Sequence, residues 1–357
     1  MKKKTDDEQQ LIVILRRLAP GTQIREALEN ILGARTGALI IMGWNSKIED
    51  MMEGGFKLDV DLTPARLYEL AKLDGAIILC SQCRKIMYAN AQLNPDPTIP
   101  SQETGIRHRT AERVARQTGE VVISISQRRN IITVYQGQIR YALRDVGVIL
   151  NKANQALQTL EKYRNVLQQT LVNLSALEFE DLVSYNDVFI VLRRVEMLLR
   201  VAQLIDHYIV ELGTEGRLIE MHLEELLRNV EEEAQLLIRD YSVDENMNPE
   251  VVLAKMRQDP GEGLSDNHGL AKMLGHANAT VADLPATPRG YRVLDKIPRL
   301  PMTVIENVIA RFSTLKGVMD ADEQLLDDVD GIGDVRARAI RMGLQRLREQ
   351  IFVERHL

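Results

Sequence analysis

The sequence contains little cysteine and few aromatic residues, and each shortage excludes a class of protein. Only 2 of its 357 residues are cysteine, which excludes a disulfide-stapled fold and favours a reducing compartment. Aromatic residues make up 4% of the chain, so its cores must be mainly aliphatic. No apolar run reaches the roughly 18 residues of a membrane-spanning helix. The opening MKKKTDDEQQ lacks the apolar centre of a signal peptide, so we expect a cytoplasmic protein with no membrane partner.

The chain also lacks an excess of positive charge. Its 45 basic and 51 acidic side chains give a net charge of −6, so any binding of nucleic acid must depend on a local patch. Apolar residues make up 45% of the sequence, which excludes a disordered chain. At roughly 150 residues per domain, the length predicts two or three domains.

Proline is absent from residues 101–248, and glycine is sparse in the second half of that stretch. Because these two residues are the main helix breakers, their absence predicts long helices. Apolar residues spaced alternately four and three apart over 191–209 and 223–241 indicate packing seams. We therefore divide the chain into segments 1–147, 148–285 and 286–357, the middle one being a helical bundle or spacer.

The first segment mixes the sequence patterns of helices and strands. Thr22 and Thr63-Pro64 are typical of helix starts, with threonine as N-cap and proline at the first helical position. Short apolar runs typical of buried strands cover residues 38–43, 76–80, 85–89, 121–126 and 131–135. Hairpins combined with helices predict a mixed sheet with helices on its faces.

Basic residues crowd the start of a predicted helix in this segment. Arg107, His108 and Arg109 precede Thr110, and Gly119 stands where a C-cap is expected. Cations are unfavourable at a helix N-terminus, where the dipole is already positive. A triphosphate would reverse that penalty by binding the guanidinium groups, the helix amides and the Thr110 hydroxyl together. The alternative is a solvated basic turn.

Two further positions in the first segment are candidates for the same chemistry. Asp74-Gly75-Ala76 lies between a predicted helix and a predicted strand. A carboxylate there can hold a divalent cation, and glycine lets the backbone approach a ligand. Ordinary turn chemistry is the competing interpretation of this triplet. Ser126, at a strand end, could add a phosphate contact, although its position taken by itself favours a turn role.

Three other sequence patterns give no positive evidence for a functional site. The chain has no Gly-x-x-x-x-Gly-Lys-Ser/Thr motif, which excludes a P-loop. Cys80 and Cys83 form a lone C-x-x-C, which we interpret as structural. Asp59-Val60-Asp61 precedes a helix start, and we interpret it as an acidic loop rather than a metal site.

A glycine turn between two helices marks the last segment. It is Gly331-Ile332-Gly333, and arginines including Arg336 and Arg338 follow on the second helix. Exposed amides beside a helix N-terminus suit a phosphate. The pattern resembles the helix–hairpin–helix module, and the resemblance implies binding to the phosphates of DNA. A weaker copy covers residues 301–318. A plain helical turn with a glycine cap is the alternative, and the nearly balanced charge of the segment predicts modest, salt-sensitive binding.

Asp74-Gly75-Ala76, followed about thirty residues later by Thr-Gly-Ile-Arg-His-Arg-Thr, resembles the diadenylate cyclase domain. With a helical middle and the terminal glycine turn, the chain resembles the bacterial family of DNA integrity scanning proteins. The resemblance implies an α+β protein with an N-terminal mixed-sheet cyclase domain, a central helical bundle or spacer and a C-terminal helix–hairpin–helix domain. It also implies the condensation of two ATP molecules into cyclic di-AMP with release of two pyrophosphates.

The resemblance further implies roles for individual residues. Asp74 would lie near the ribose 3′-hydroxyl and bind Mg²⁺ or Mn²⁺, and it would share catalysis with Arg107, His108 and Arg109. The residues implied to contact ATP are Gly75, Ala76, Leu93, Thr104, Ile106, Arg107, His108, Arg109, Thr110 and Ser126. Those implied to contact DNA are Gly331, Ile332, Gly333, Arg336 and Arg338.

The same resemblance implies partners. One site holds one ATP, so two cyclase domains would face each other within a homo-octamer. Branched DNA, bound through its phosphate backbone, would suppress synthesis in a DNA-integrity checkpoint associated with the nucleoid. The alternative is a DNA-binding scaffold whose nucleotide site senses ATP without turning it over.

Overall fold

The computed structural model of the chain describes residues 2–244, 247–258, 267–276 and 279–355. The chain forms two compact units. Unit 1 comprises Met1–Asn154 and Asp206–Glu220, and unit 2 comprises Gln155–Ile205 and Met221–Leu357. No helix within the described ranges has the length and apolar character needed to cross a membrane.

Unit 1 is built on a sheet that has eight strands in the described part of the chain. The strands are β1 (Ala38–Met42), β2 (Met52–Glu53), β3 (Phe56–Asp61), β4 (Ala76–Leu79), β5 (Lys85–Leu93), β6 (Val121–Ser126), β7 (Ile131–Gln136) and β8 (Ile139–Ala142). Their order is β2-β5-β4-β1-β6-β7-β8, and β3 also pairs with β5. Strands β1 and β4 are parallel, whereas the other pairings of the described strands are antiparallel. The predicted mixed sheet is confirmed.

Five helices lie in the described part of the first 145 residues, and two of them begin at the predicted threonine N-caps. The five are α1 (Lys2–Arg17), α2 (Gln23–Gly33), α3 (Ser46–Met51), α4 (Pro64–Leu70) and α5 (Ile106–Thr118). The Thr22 and Thr63 side chains accept the backbone N–H groups of Arg25 and Arg66, which confirms both as N-caps. Gly119 ends α5 in the left-handed conformation, as the sequence predicts for a C-cap.

Helices cover both faces of the sheet because successive strand residues point in opposite directions. Ile40 and Ile123 belong to one buried cluster, which includes residues of α1, α2 and α4. Their neighbours Ile41 and Val122 belong to a second cluster, which includes residues of α3 and α5. Helix α5 is therefore fixed on the sheet through Ala111, Val114 and Ala115, and this contact positions its basic first turn.

One interpretation of the first segment is overturned by the structure. Residues 59–61 end strand β3 rather than forming a loop, and Asp59 lies at a bulge with φ of 47° and pairs with Lys85 at 3.0 Å. The acidic-loop interpretation is therefore corrected. Cys80 and Cys83 flank the turn between β4 and β5, where Cys83 Sγ accepts a hydrogen bond from Arg17 at 2.9 Å. Among the residues described, no cluster of three or more His, Cys, Asp or Glu forms a metal site.

The rest of the described chain is mainly helical. Its α-helices are α6 (Val146–Glu180), α7 (Tyr185–Leu212), α8 (Arg217–Leu227), α9 (Val230–Tyr241), α10 (Pro249–Gln258), α11 (Asn267–Met273), α12 (Tyr291–Asp295), α13 (Met302–Phe312), α14 (Leu315–Asp320), α15 (Glu323–Asp327) and α16 (Asp334–Glu354). Short 3₁₀ turns cover Gly213–Gly216 and Ala279–Asp283. The apolar spacing over 223–241 crosses a break, because Asn229 adopts a left-handed φ of 65° between α8 and α9. The helix there is interrupted without proline or glycine.

A buried network of charges links α6, α9 and α12 within unit 2. The Arg292 guanidinium, fully buried, pairs with Glu178 and donates to Ser175 Oγ at 2.9 Å. The Asp240 carboxylate accepts the backbone N–H groups of Gly290, Tyr291 and Arg292 at 2.7, 2.7 and 3.1 Å. Asp240 thus supplies from α9 the acceptor that the start of α12 lacks locally.

Candidate functional site

Two neighbouring cavities in unit 1 share the start of α5. Ile106 and Arg107 line both of them. The larger cavity, of about 890 Å³, is also lined by the predicted site residues Asp74, Gly75, Ala76, Leu93 and Thr110. The smaller, of about 460 Å³, is also lined by Thr104, His108 and Ser126. The structure thus brings together residues that lie up to 52 positions apart in the sequence.

Arg109 is the exception among the predicted nucleotide contacts. It lines neither cavity. Its guanidinium turns back to the preceding loop and donates to the carbonyl oxygens of Glu103 and Thr104 at 3.4 and 3.3 Å. In this arrangement Arg109 holds the loop that carries Thr104.

The first turn of α5 is an electropositive helix end that borders the smaller cavity. Its N-cap is Gly105, which has no side chain to cap the helix, and the first turn contains no acidic residue. The free N–H groups and the helix dipole therefore add to the charge of Arg107. Gly105, Ile106 and Arg107 all line the smaller cavity, which Arg128 and Arg129 border from the turn after β6. An anion, above all a phosphate, is the ligand that this geometry favours.

The start of β4 approaches β5 closely at the larger cavity. Gly75 has φ of +89°, and a Cβ at this position would lie 2.9 Å from the carbonyl oxygen of Ala91. Asn90, on β5, also adopts a left-handed conformation with φ of 55°. Asp74, immediately before this contact, is exposed, and its carboxylate forms no hydrogen bond or ion pair with any residue in the described part of the chain. It is therefore available to a ligand or a cation.

A chain of hydrogen bonds supports His108 beside the smaller cavity, which Glu103 also lines. His108 Nδ1 lies 3.0 Å from the Tyr135 hydroxyl, which donates to Glu103 Oε1 at 2.8 Å. Arg140 Nε donates to the same carboxylate oxygen at 2.6 Å. Burial raises the pKa of Glu103, but the bonds from Arg140 and Tyr135 outweigh it and hold that pKa below its usual value. Burial also lowers the pKa of His108, and Arg129 lowers it further.

Side chains of α5 hold the loop that leads into this chain of hydrogen bonds. The Glu112 carboxylate accepts the backbone N–H of Gln102 at 3.2 Å, and Arg113 Nε donates to the carbonyl of Ile99 at 2.9 Å. Residues 99–102 are thus bonded to the same helix whose first turn carries His108. The loop and the helix start form one structural element.

Sequence reasoning missed Tyr135, Glu103 and Arg140 as members of the site. Tyr135 belongs to an apolar strand pattern, and Arg140 lies on β8, a strand that the sequence did not predict. The relevant separations in sequence are 27, 32 and 37 residues, so no local spacing indicated the contacts. Ser126 was identified, and its hydroxyl accepts the N–H of Arg129 at 3.3 Å, closing the turn that borders the smaller cavity.

The glycine turn of the last segment, in unit 2, combines exposed backbone with a helix start, and Asp334 places one acidic side chain in the first turn of that helix. Ile332 is buried in the core formed by the C-terminal helices, and Gly331 adopts φ of +82°. Helix α16 begins directly after Gly333, which offers no side-chain cap. Arg336 donates to the carbonyl of Gly331, and Arg338 is exposed.

Comparisons with known proteins assign the part of the chain that contains both cavities to a nucleotide-binding region. A family profile described as "DisA bacterial checkpoint controller nucleotide-binding" matches residues 25–139. A second, described as the DisA bacterial checkpoint controller linker region, matches residues 143–282. Both cavities lie on residues 39–129, within the first match.

Close relatives match nearly the whole chain. The DNA integrity scanning protein DisA of Carboxydothermus hydrogenoformans is 56% identical over 345 residues, 96% of this chain and 98% of the relative. Its namesake from Bacillus subtilis is 50% identical over 356 residues, 100% of this chain and 99% of the relative. A solved structure of a double mutant of DacA from Staphylococcus aureus is 23% identical, covers 39% of this chain and 90% of its own, and has a TM-score of 0.30. That structural likeness is too weak to carry an argument.

The identities over nearly full length confirm the family that the sequence motifs indicated, and with it the prediction of a diadenylate cyclase. With a nucleotide-binding region that carries both cavities and a linker region that follows it, the chain belongs to the family of the DNA integrity scanning protein DisA.

Proposed function

We propose that this chain condenses two ATP molecules into cyclic di-AMP and releases two pyrophosphates. In each half of the reaction the 3′-oxygen of one nucleotide attacks the α-phosphate of the other. The observation that carries the proposal is the position of an exposed carboxylate, Asp74, in a cavity that shares Arg107 with a phosphate-suited helix start. Catalysis then consists mainly of positioning and of stabilising negative charge.

The two cavities divide the nucleotide between them. The larger cavity takes the adenine and ribose, which meet the backbone of Gly75, Ala76 and Leu93. The smaller takes the phosphates, which meet the first turn of α5 and the turn after β6. The proposed phosphate contacts are Thr104, Ile106, Arg107, His108, Arg109, Thr110 and Ser126, of which Thr110 lines the larger cavity and would meet phosphate from that side. Arg109 reaches phosphate in this scheme only by releasing the carbonyls that it now holds.

Asp74 is also the proposed ligand of a divalent cation, Mg²⁺ or Mn²⁺. The donor set fits such an ion, because Mg²⁺ is commonly bound by one or two carboxylates together with substrate phosphates. Asp74 offers one carboxylate with no competing partner among the described residues. A bound cation would neutralise charge on the phosphates. Asp74 itself orients the ribose 3′-hydroxyl.

Two protomers are needed because one pair of cavities accommodates one ATP. We propose that cyclase domains face each other with their cavities opposed, within a homo-octamer. Ile106 supports a face that becomes covered, since it lines both cavities and yet is 83% exposed. Covering an aliphatic side chain of this size stabilises an interface by about 1.5–3 kcal/mol.

The last segment supplies the proposed link to DNA. We propose that residues 286–357 form a helix–hairpin–helix domain that binds the phosphates of branched DNA through Gly331, Ile332, Gly333, Arg336 and Arg338. Residues 1–147 form the cyclase domain in this scheme, and the helical segment 148–285 connects the two. DNA binding lowers the rate of synthesis, which makes the protein a sensor of DNA integrity associated with the nucleoid.

The direct test is incubation of the full chain with ATP and Mg²⁺ or Mn²⁺, with and without a DNA four-way junction. A product that elutes as cyclic di-AMP, formed more slowly with the junction, is the expected result. ATP bound and recovered intact would instead identify a scaffold that senses ATP.

Asp74→Asn provides the sharper variant. It removes a negative charge without changing shape, so the protein should still bind ATP and lose synthesis by a factor of about 10² or more. Asp50→Asn is the matched control, because Asp50 is exposed on α3 and lines neither cavity. Undiminished synthesis by Asp74→Asn would remove Asp74 from the mechanism.

A further inference from the structure

We propose that binding of the triphosphate is coupled to the uptake of one proton at His108 Nε2, and that Tyr135 and Glu103 are positioning residues that leave this nitrogen free to receive it. The inference rests on the proposed ATP site and adds a protonation step to it. It follows from the direction of the hydrogen bonds behind His108 and from the charges around its ring.

The hydrogen bond from Tyr135 to Glu103 determines which ring nitrogen of His108 carries the proton. Glu103 is ionised, since its pKa is lowered below the usual range, and an ionised carboxylate only accepts hydrogen bonds. The Tyr135 hydroxyl must therefore donate its single proton in the hydrogen bond to Glu103, 2.8 Å away. Toward His108, 3.0 Å away, the same oxygen can only accept. His108 Nδ1 consequently carries a hydrogen.

The other ring nitrogen of His108, Nε2, is left without a proton. A neutral imidazole has one N–H, so with Nδ1 protonated Nε2 is a bare acceptor. Nε2 is buried and has no hydrogen-bond partner in any residue that the structure describes. His108 lines the smaller cavity. A buried polar atom without a partner is unfavourable, and a ligand in this cavity is the available remedy.

The charges around the ring keep it neutral while the cavity is empty. Arg107 faces it from its own helix, Arg129 from the turn between β6 and β7, and Arg140 from β8. Glu103 is the opposing acid, and Arg140 already pairs with it. Burial is the largest influence and lowers the pKa of His108 below its ordinary value of 6.5, so the free protein at neutral pH has an uncharged imidazole.

A polyphosphate reverses this balance. Its oxygens are acceptors, so a bare Nε2 would face them lone pair to lone pair. With a proton taken from solvent, Nε2 donates a charge-assisted hydrogen bond, and the positive ring is stabilised by the negative phosphates. No covalent bond changes, and the proton returns to solvent when the anion leaves. A ribose hydroxyl in the same place would donate to Nε2 instead, and no proton would be taken up.

Titration calorimetry of the full chain with a non-hydrolysable ATP analogue tests the proposal. Measured at about pH 7 in two buffers of different ionisation enthalpy, the heat gives the number of protons exchanged per nucleotide bound. Protons exchanged by the nucleotide itself are common to all variants and are subtracted with His108→Gln. We expect a difference approaching one proton taken up, and an affinity that falls by up to tenfold for each unit rise in pH through the window between the free and bound pKa values.

Tyr135→Phe separates positioning from simple structural support. Without the hydroxyl, Nδ1 loses its acceptor, and the neutral ring can place its single hydrogen on Nε2. The analogue then binds with fewer protons taken up, whereas a purely structural role would weaken binding and leave the proton number unchanged. Tyr141→Phe is the matched control, since Tyr141 bonds Glu211 and lines neither cavity. It should bind like the parent chain.

The possible results of these experiments distinguish proton uptake at His108 from the proposed ATP site itself. Nucleotide binding without a proton difference between the parent chain and His108→Gln overturns the inference and leaves the ATP site standing. An unchanged proton number in Tyr135→Phe overturns the positioning role. Absence of any nucleotide binding overturns the ATP site and the inference together.

Discussion

The Arg107 guanidinium lies directly over the backbone of Gly37, so that a Cβ on residue 37 would come within 2.0 Å of Arg107 Nη1. Gly37 stands immediately before β1, and the absence of its side chain leaves the space that Arg107 occupies beside the cavities. The atom in conflict is the end of a flexible side chain. A methyl group here would therefore displace the guanidinium rather than unfold the protein.

Gly37→Ala should accordingly weaken nucleotide binding with little change in stability. Loss of hydrogen bonds to a charged group corresponds to about 1.5–3 kcal/mol, or roughly 10- to 100-fold in affinity. Calorimetric titration and a thermal melt of the same sample check both halves. Gly33→Ala is the control, because nothing lies within 4 Å of a Cβ at that position. Equal affinities for the two variants would contradict the packing role of Gly37.

Gly75→Ala should destabilise the fold, because two penalties combine. The backbone φ of +89° disfavours any side chain, and the Cβ would meet backbone atoms of Asn90 and Ala91 at 2.9 Å. Gly54 also has a positive φ, of +64°, but nothing lies within 4 Å of its Cβ. Gly54→Ala should therefore lose about 1–2 kcal/mol from conformation alone, and Gly75→Ala distinctly more. Chemical denaturation of both variants measures the difference, which vanishes if the close approach of β4 to β5 is absent in solution.

Glu178→Ala should strongly destabilise unit 2. It leaves the Arg292 guanidinium buried without its main partner, a loss of about 3–5 kcal/mol. Glu180, two residues later, pairs with Arg355 at 3.3 Å on the surface. Its replacement by alanine should lose less than about 1 kcal/mol. Denaturant titrations followed by circular dichroism compare the two, and similar losses would show that the buried pair is not a stabilising element.

Acid should destabilise the nucleotide-free protein through His108. Its pKa in the folded state lies below that of the unfolded chain, so the unfolded chain binds more protons at pH values just below 6.5. Stability present above that pH is lost as the pH falls toward the lowered pKa. Thermal midpoints should decline between about pH 7 and about pH 5, and less steeply in His108→Gln. A parallel decline in both proteins would assign the effect to other groups.

The glycine turn offers a matched pair for DNA binding. Gly333→Ala is compatible with the backbone, since φ is −131° and the nearest atom to a Cβ is 3.9 Å away. It should keep the fold and weaken binding of a DNA junction, because a methyl group beside the exposed amides hinders close approach of phosphate. Gly331→Ala should destabilise the protein as well, because its φ is +82°. Undiminished retention of junction DNA by Gly333→Ala would remove the turn from the interface.

Local chemistry made much of the fold predictable. Thr22 and Thr63 bond amides only three residues away, and Gly119 closes its helix within one turn, so short sequence windows contain the information. The strand runs that alternate between two buried faces were recognisable for the same reason. Strand β3 was not recognised, because Asp59 interrupts its pattern at a bulge.

The candidate site was only half predictable. Basic residues at the start of α5 conflict with the helix dipole, and that conflict is visible in the sequence. Tyr135 and Arg140 join the site because strands β7 and β8 bring them behind His108, and Gly37 matters only because Arg107 folds over it. Such contacts depend on the register of the sheet, which no short pattern specifies.

The Asp240 and Glu178 bonds to the start of α12 have a consequence for the glycine turn. A fragment starting at residue 286 would expose the guanidinium of Arg292 to water and lose Phe179 from its apolar interior. We therefore expect the helix–hairpin–helix domain to depend on α6 and α9 for its stability and to melt in one transition with them. A ligand that binds α16 in the folded protein should therefore also raise the melting temperature of helices that lie more than ninety residues earlier in the chain.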